Sequence, residues 1–185
     1  MKRFCLLTVC AAFASTAAHA AVFTVGSAVN CTHTSIQAAL NAASANAEAD
    51  TIRVSNQLSY SAQAISISGG DFTLEGGYID CSTTTPTGST TISGQGGVAD
   101  SVFRISGDGV RNFRRLLITR GDAIGADGRG GGPRFDAPGD LILQDVSVDQ
   151  NAALSGGGIY FRSTGGAATL LINSNSSISR NVAIE

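Results

Sequence analysis

The chain has 185 residues, with 12 Lys and Arg against 14 Asp and Glu, 43% hydrophobic residues and no Trp. That length suits one domain. The slightly acidic balance argues against a nucleic-acid partner, which needs a net basic face.

Residues 1–20, MKRFCLLTVCAAFASTAAHA, read as a signal peptide. Lys2 and Arg3 form the charged start, an apolar stretch follows, and Ala18-His19-Ala20 supplies the small residues of a cleavage site. The apolar run is too short and too rich in Ala, Ser and Thr to span a bilayer well. No other segment could do so, and no transmembrane segment is expected. Cys10 follows Val9 early in the apolar stretch, which does not suit a lipoprotein signal. Cleavage would remove Lys2, the only lysine, leaving ten arginines against fourteen acids and a net charge of −4. It would also remove Cys5 and Cys10, leaving Cys31 and Cys81. An even pair in an exported chain reads as a disulfide; two unpaired buried thiols are the other reading. A two-Cys metal site would need further ligands at close spacing, and none is present.

Residues 21–50 read as an N-terminal cap containing one helix at 34–45, TSIQAALNAASA. Thr34 and Gln37 have capping-box spacing. Ile36, Leu40 and Ala43 make one narrow apolar stripe, so one face of the helix should cover something.

Residues 51–185 change character. Short segments rich in Ile, Val, Leu, Thr and Phe follow one another between Gly, Ser, Asn and Asp. Strands are predicted at 51–54, 64–68, 72–76, 90–93, 102–106, 113–119, 141–148, 158–161, 168–172 and 176–180. No helix intervenes, so a βαβ route to a parallel sheet is excluded. A sandwich, a barrel or a solenoid remains.

Internal repeats decide among these. VSVDQNAA at 146–153 aligns with SSISRNVA at 176–183 and, one step earlier, with LLITRGDA at 116–123, an offset of 30. Ile118, Val148 and Ile178 then form one apolar column, expected to point inward. Gly121, Asn151 and Asn181 form a second, read as a structural corner, because Gly and Asn tolerate left-handed backbone angles best. Gly130–Gly132 and Gly156–Gly158 repeat as well, before strands. A phosphate loop occurs once and opens a helix, so these glycines read as corners. Arg111, Arg114, Arg115 and Arg120 read as polar positions on a solvated strand face.

NAALSGGGI at 151–159 resembles the polymorphic outer-membrane-protein repeat of bacterial surface proteins, with aliphatic Val148 and Ile178 where that repeat has Phe. TSIQAALNAA at 34–43 looks like the capping helix of pectate-lyase-like right-handed β-helices. The resemblance implies an all-β fold: a right-handed parallel β-helix solenoid with an N-terminal capping α-helix.

Enzymes share that fold, so chemistry must be sought separately. The Trp-Ile-Asp-His type stretches of the lyases and the Asp-Asp and Gly-His-Gly sets of the polygalacturonase-like members are absent. The only histidine after the signal is His33. Asp145 with Asp149, and Asp136 with Asp140, are four apart. Such pairs could serve acid–base work or hold Ca²⁺, but also arise on any solvated face. GGPRFD at 131–136 fails the calcium-roll pattern, and GDGVRN at 107–112 misses Gly-x-Gly-x-x-Gly by its last residue. No catalytic, cofactor-binding or metal-binding residue is assigned, and no cofactor.

The sequence therefore predicts an exported, non-catalytic scaffold or adhesin-type passenger, extracellular or on the surface of a Gram-negative-type bacterium, with the periplasm as a further compartment. Its partner would be carbohydrate or a host or cell-surface protein. The alternative is a polysaccharide-active enzyme with an unrecognised site. By the 30-residue step, the next glycine corner falls just past Glu185, so the chain is expected to be a fragment of a longer solenoid.

Overall fold

The computed structural model describes residues 19–97, 99–125, 128–173 and 175–184. The predicted signal peptide, residues 1–20, lies outside the described residues except for its last two. After β1 (Val22–Val25) comes the single helix of the described residues, α1 (Ile36–Ala43). Short strands follow: β2 (Asp50–Ser55), β3 (Ile65–Ile67), β4 (Phe72–Tyr78), β5 (Thr90–Ser93), β6 (Phe103–Ile105), β7 (Val110–Thr119) and β8 (Asp122–Ala123). Then come β9 (Pro133–Asp136), β10 (Gly139–Asp149), β11 (Ala152–Ala153), β12 (Tyr160–Arg162), β13 (Ala168–Ile172), β14 (Ser177–Ser179) and β15 (Val182–Ala183).

These strands wind into a parallel β-solenoid of about five turns. One face is the path β1-β2-β4-β7-β10-β13, with β5 beside the second half of β7 and β14 beside the second half of β10. A second face is β3-β6-β9-β12, and a third, short one is β8-β11-β15. Through β7, β10 and β14 the register is the 30-residue step: Val148 pairs with Ile118 on one side and with Ile178 on the other. The glycine runs pair at a step of 26 instead, because Phe161 pairs with Phe135 and Tyr160 with Arg134.

The long strands bend where single residues take left-handed backbone angles. Arg115, Asp145 and Asn175 have φ of 52°, 55° and 64° and occupy one column. Arg120, Gln150 and Arg180, at 55°, 54° and 52°, occupy the next. The second column corrects the sequence reading. The left-handed residue precedes Gly121, Asn151 and Asn181 and is not the Gly or Asn itself. A left-handed non-glycine residue costs about 1–2 kcal/mol, so packing and side-chain bonds at the corner must hold it.

The interior is built from stacked apolar columns. Ile92, Ile118 and Val148 are fully buried, and Ile178, in the last described coil, is 46% exposed. The rings of Phe135 and Phe161 stack at 4.7 Å, and those of Phe103 and Phe113 lie 4.8 Å apart. Helix α1 lies across the first coil, with Ile36, Ala39, Leu40 and Ala43 buried. Burying Ile36 and Leu40 is worth about 2 kcal/mol each. The helix starts later than predicted: Ser35 is its cap, and the Ser35 Oγ accepts from the Ala38 amide at 3.2 Å. Gln37, predicted to close a capping box, instead clamps β3. Its Nε2 donates to the Ser66 carbonyl and its Oε1 accepts from the Ser66 amide, both at 2.8 Å. Cys31 and Cys81 are bonded, with Cα atoms 5.1 Å apart, and tie the segment before the helix to the turn after β4.

Candidate functional site: a polar arginine face

The structure brings Gly121, Asn151 and Asn181 together in a ladder. Asn151 is 1% exposed. Its Oδ1 accepts from the Gly121 amide at 2.9 Å, and its Nδ2 donates to the Ile118 and Asp149 carbonyls at 3.1 Å each and to the Asn181 Oδ1 at 3.0 Å. The Asn181 Oδ1 also accepts from the Asn151 amide at 2.9 Å. Each asparagine thus satisfies backbone groups that the corner leaves unpaired. Gly121 has no room for a side chain: a Cβ there would overlap the Gly131 carbonyl oxygen.

The glycine runs carry no phosphate cradle. Gly130 and Gly156 have φ of 61° and 63°. The amides of Gly130, Gly131 and Gly132 donate to the carbonyls of Ser155, Gly157 and Gly158, so the donors a phosphate would need are already used between coils.

The arginine cluster divides. Arg111 is fully buried, which overturns its reading as a solvated surface group. Its guanidinium donates to the carbonyls of Ser106, Gly107, Asp108 and Gly109, filling the turn written GDG in the sequence. Burial pulls its pKa below the usual arginine value, while Asp108 and Asp71 oppose that. Arg114 donates to Gln144 at 3.1 Å, Arg115 lies 3.6 Å from Glu75, and Arg120 reaches Gln95. Beside this group, the buried Tyr78 hydroxyl donates to Glu75 at 2.7 Å, and burial, followed by Glu75, pushes its pKa up to about 12.

The carboxylate pairs do not form couples. The Arg180 Nη2 and Nε donate to the Asp149 carboxylate at 2.5 and 2.8 Å, and Ser179 donates to it at 3.1 Å. Asp136 receives Arg162 at 2.7 and 3.0 Å and Arg134 at 3.4 Å. In each case the hydrogen-bonded arginine, Arg180 or Arg162, is the main reason the carboxyl lies below its usual pKa. Asp140 accepts from the Thr169 amide at 3.0 Å.

A cluster of arginines and aspartates lies on the outer side of the face β3-β6-β9-β12. Alternation points Ile65, Phe103 and Phe135 inward and turns Ser66, Arg104 and Arg134 outward. Register places Ser66 beside Arg104, Arg104 beside Arg134, Arg134 beside Tyr160, and Asp136 beside Arg162. Ser66, Arg104, Ile105, Ser106, Arg134 and Asp136 line a groove of about 310 Å³. The Arg104 Nε is held by Asp100 at 2.6 Å, with the Arg104 side chain 40% exposed. Arg129 stands over the Tyr160 ring, 5.3 Å from its centre. Four arginines therefore meet Asp100 and Asp136 here among the described residues, in a chain whose overall charge is −2. Of the four strands of this face, β9 alone carries no strand signal in the sequence, and without it Arg104, Arg134 and Tyr160 do not come together. The clue was present: Arg104 and Arg134 are one repeat apart.

No family model, curated protein or solved structure matches the chain. Among the described residues, no helix is long and apolar enough to cross a membrane, and no cluster of three or more His, Cys, Asp or Glu could hold a metal ion.

Proposed function

We propose that the chain is an exported, non-catalytic solenoid that holds binding groups in fixed register on its faces. The observation that carries this is the state of its carboxylates. Asp149 and Asp136 are each clamped by arginine and held ionised. A carboxyl serving as general acid needs its pKa raised toward neutrality, and a nucleophile or base needs open access to substrate. Both groups are committed to holding neighbouring coils together. The Cys31–Cys81 bond is compatible with an oxidising compartment outside the cytoplasm. The parallel coils, the covering helix and the Asn151–Asn181 ladder support placing the chain beside the right-handed β-helices of pectate-lyase-like and polymorphic outer-membrane-protein type. The test incubates the oxidised protein with polygalacturonate and Ca²⁺ and follows the absorbance of unsaturated product. No turnover is expected. Robust turnover that disappears on changing one acidic residue would replace this reading with a polysaccharide-active enzyme.

A further inference from the structure

We propose that the outer side of the face β3-β6-β9-β12 binds a linear sulfated polysaccharide. This rests on the reading of the chain as a non-catalytic binding scaffold and names its partner. Three observations carry it. The face gathers Arg104, Arg129, Arg134 and Arg162 against Asp100 and Asp136, a local positive excess among the described residues on a chain that is acidic overall. Charge complementarity therefore selects an anionic occupant.

The second observation is which donors remain open. Arg104 gives only its Nε to Asp100, and its two terminal nitrogens have no partner among the described residues. Ser66 sits directly beside it in the neighbouring strand. Its backbone amide and carbonyl are taken by Gln37, and its hydroxyl has no partner among the described residues. The guanidinium fork and this hydroxyl make three donors on one side of the groove. A sulfate ester offers three terminal oxygens to meet them, whereas a carboxylate offers two. Arginine forks suit planar pairs of anionic oxygens and are weakly hydrated, which lowers the cost of stripping water from the contact.

The third observation is spacing. Adjacent strands lie about 4.8 Å apart, so Tyr160, two strands beyond Arg104, comes roughly 10 Å along the stack, and Arg129 reaches over its ring from the preceding coil. An extended peptide repeats its side chains on one face every ~6.7 Å and falls out of step with the strands. A pyranose ring is about as long as the ~4.8 Å between strands, so a sulfated chain laid along the stack presents one sulfate to Arg104 and a later one to Arg129 beside Tyr160. Arg134, between them, contributes positive field while bonded to Asp136.

The test titrates the oxidised protein with dextran sulfate, polygalacturonate and neutral dextran by calorimetry. Dextran sulfate should bind, weakening as salt rises, with polygalacturonate weaker and dextran silent. Arg104→Gln and Arg129→Gln should each lose about tenfold in affinity, the scale of one charge-assisted contact. Arg115→Gln, which removes a cation from a different face, should bind like the parent. Thermal melts check that each variant is folded, and Arg129, in a loop with no ion pair among the described residues, provides the milder change. Absence of dextran sulfate binding overturns the proposal. So does polygalacturonate binding as tightly, or an equal loss in Arg115→Gln, which would mean unspecific attraction. Shortening of the dextran sulfate chains would instead refute the non-catalytic reading and leave the binding face standing.

Discussion

Replacing Asn151 by Ala should be the most damaging single change at the corner. The side chain is buried, and its Oδ1 is the acceptor for the Gly121 amide. Truncation leaves that amide without a partner, at about 1–3 kcal/mol, and removes three further contacts made by Nδ2, at about 1 kcal/mol each. Partial relaxation and water entry recover some of this, so a loss of about 4 kcal/mol is expected. Asn181→Ala provides the internal scale. Asn181 accepts from the Asn151 amide and donates to the Val148 carbonyl at 2.9 Å each, yet it is only half-buried. Water can replace part of its role, and about 2 kcal/mol is expected. Asn151→Asp should also destabilise strongly, because its second oxygen would face the Ile118 and Asp149 carbonyls. Urea unfolding of the oxidised proteins, read by circular dichroism, measures all three. A loss below about 1 kcal/mol for Asn151→Ala, or a larger loss for Asn181→Ala, would refute the ladder as the element that holds the corner.

Removing the disulfide with Cys31→Ser and Cys81→Ser should cost about 4 kcal/mol on the chain-entropy estimate for a separation of 50 residues. Limited proteolysis should then cut first near α1, because a solenoid end has one neighbour only. Gly121→Ala should destabilise by about 3 kcal/mol through overpacking, since the new methyl meets the Gly131 carbonyl; an unchanged thermal midpoint would show that the coils can separate there. Acid should weaken the fold in a defined direction. Asp149 and Asp136 are held below the usual carboxylate pKa by their arginines. Their stabilisation is therefore complete above about pH 4 and is lost as pH falls through the lower folded values. Midpoints measured from pH 6 to pH 2 should fall, and Arg180→Gln should flatten the Asp149 contribution; a flat profile in the parent would contradict the pairing.

The repeat was readable because stacked coils impose like residues on like positions. Ile118, Val148 and Ile178 repeat because each caps the one before it. The asparagine column was readable for the same reason, but its cause was not. A left-handed angle leaves a strong mark only when Gly adopts it, and here Arg120, Gln150 and Arg180 do. What selects Asn151 and Asn181 is hydrogen bonding across coils, which no single segment displays. Arg111 was misread for a related reason. Its burial depends on carbonyls supplied by the turn before it, and the turn GDG signalled only a bend. The strand carrying Arg134 was hidden because it opens with Pro133 after three glycines, a pattern that reads as loop. Pro133 is tolerated at the first position of the strand.

The register of the coils is the claim on which the rest depends, and cysteine cross-linking tests it most directly. The Ser147 and Ser177 hydroxyls lie 3.1 Å apart across β10 and β14, within the range that a disulfide can bridge after substitution. The pair Ser147→Cys with Ser177→Cys should oxidise nearly completely, beside an intact Cys31–Cys81 bond, as read by peptide mapping with mass spectrometry. Ser147→Cys with Ser179→Cys places the second thiol opposite Asp149 and should remain reduced. Bonding in the second pair but not in the first would contradict the 30-residue register, and with it the asparagine ladder.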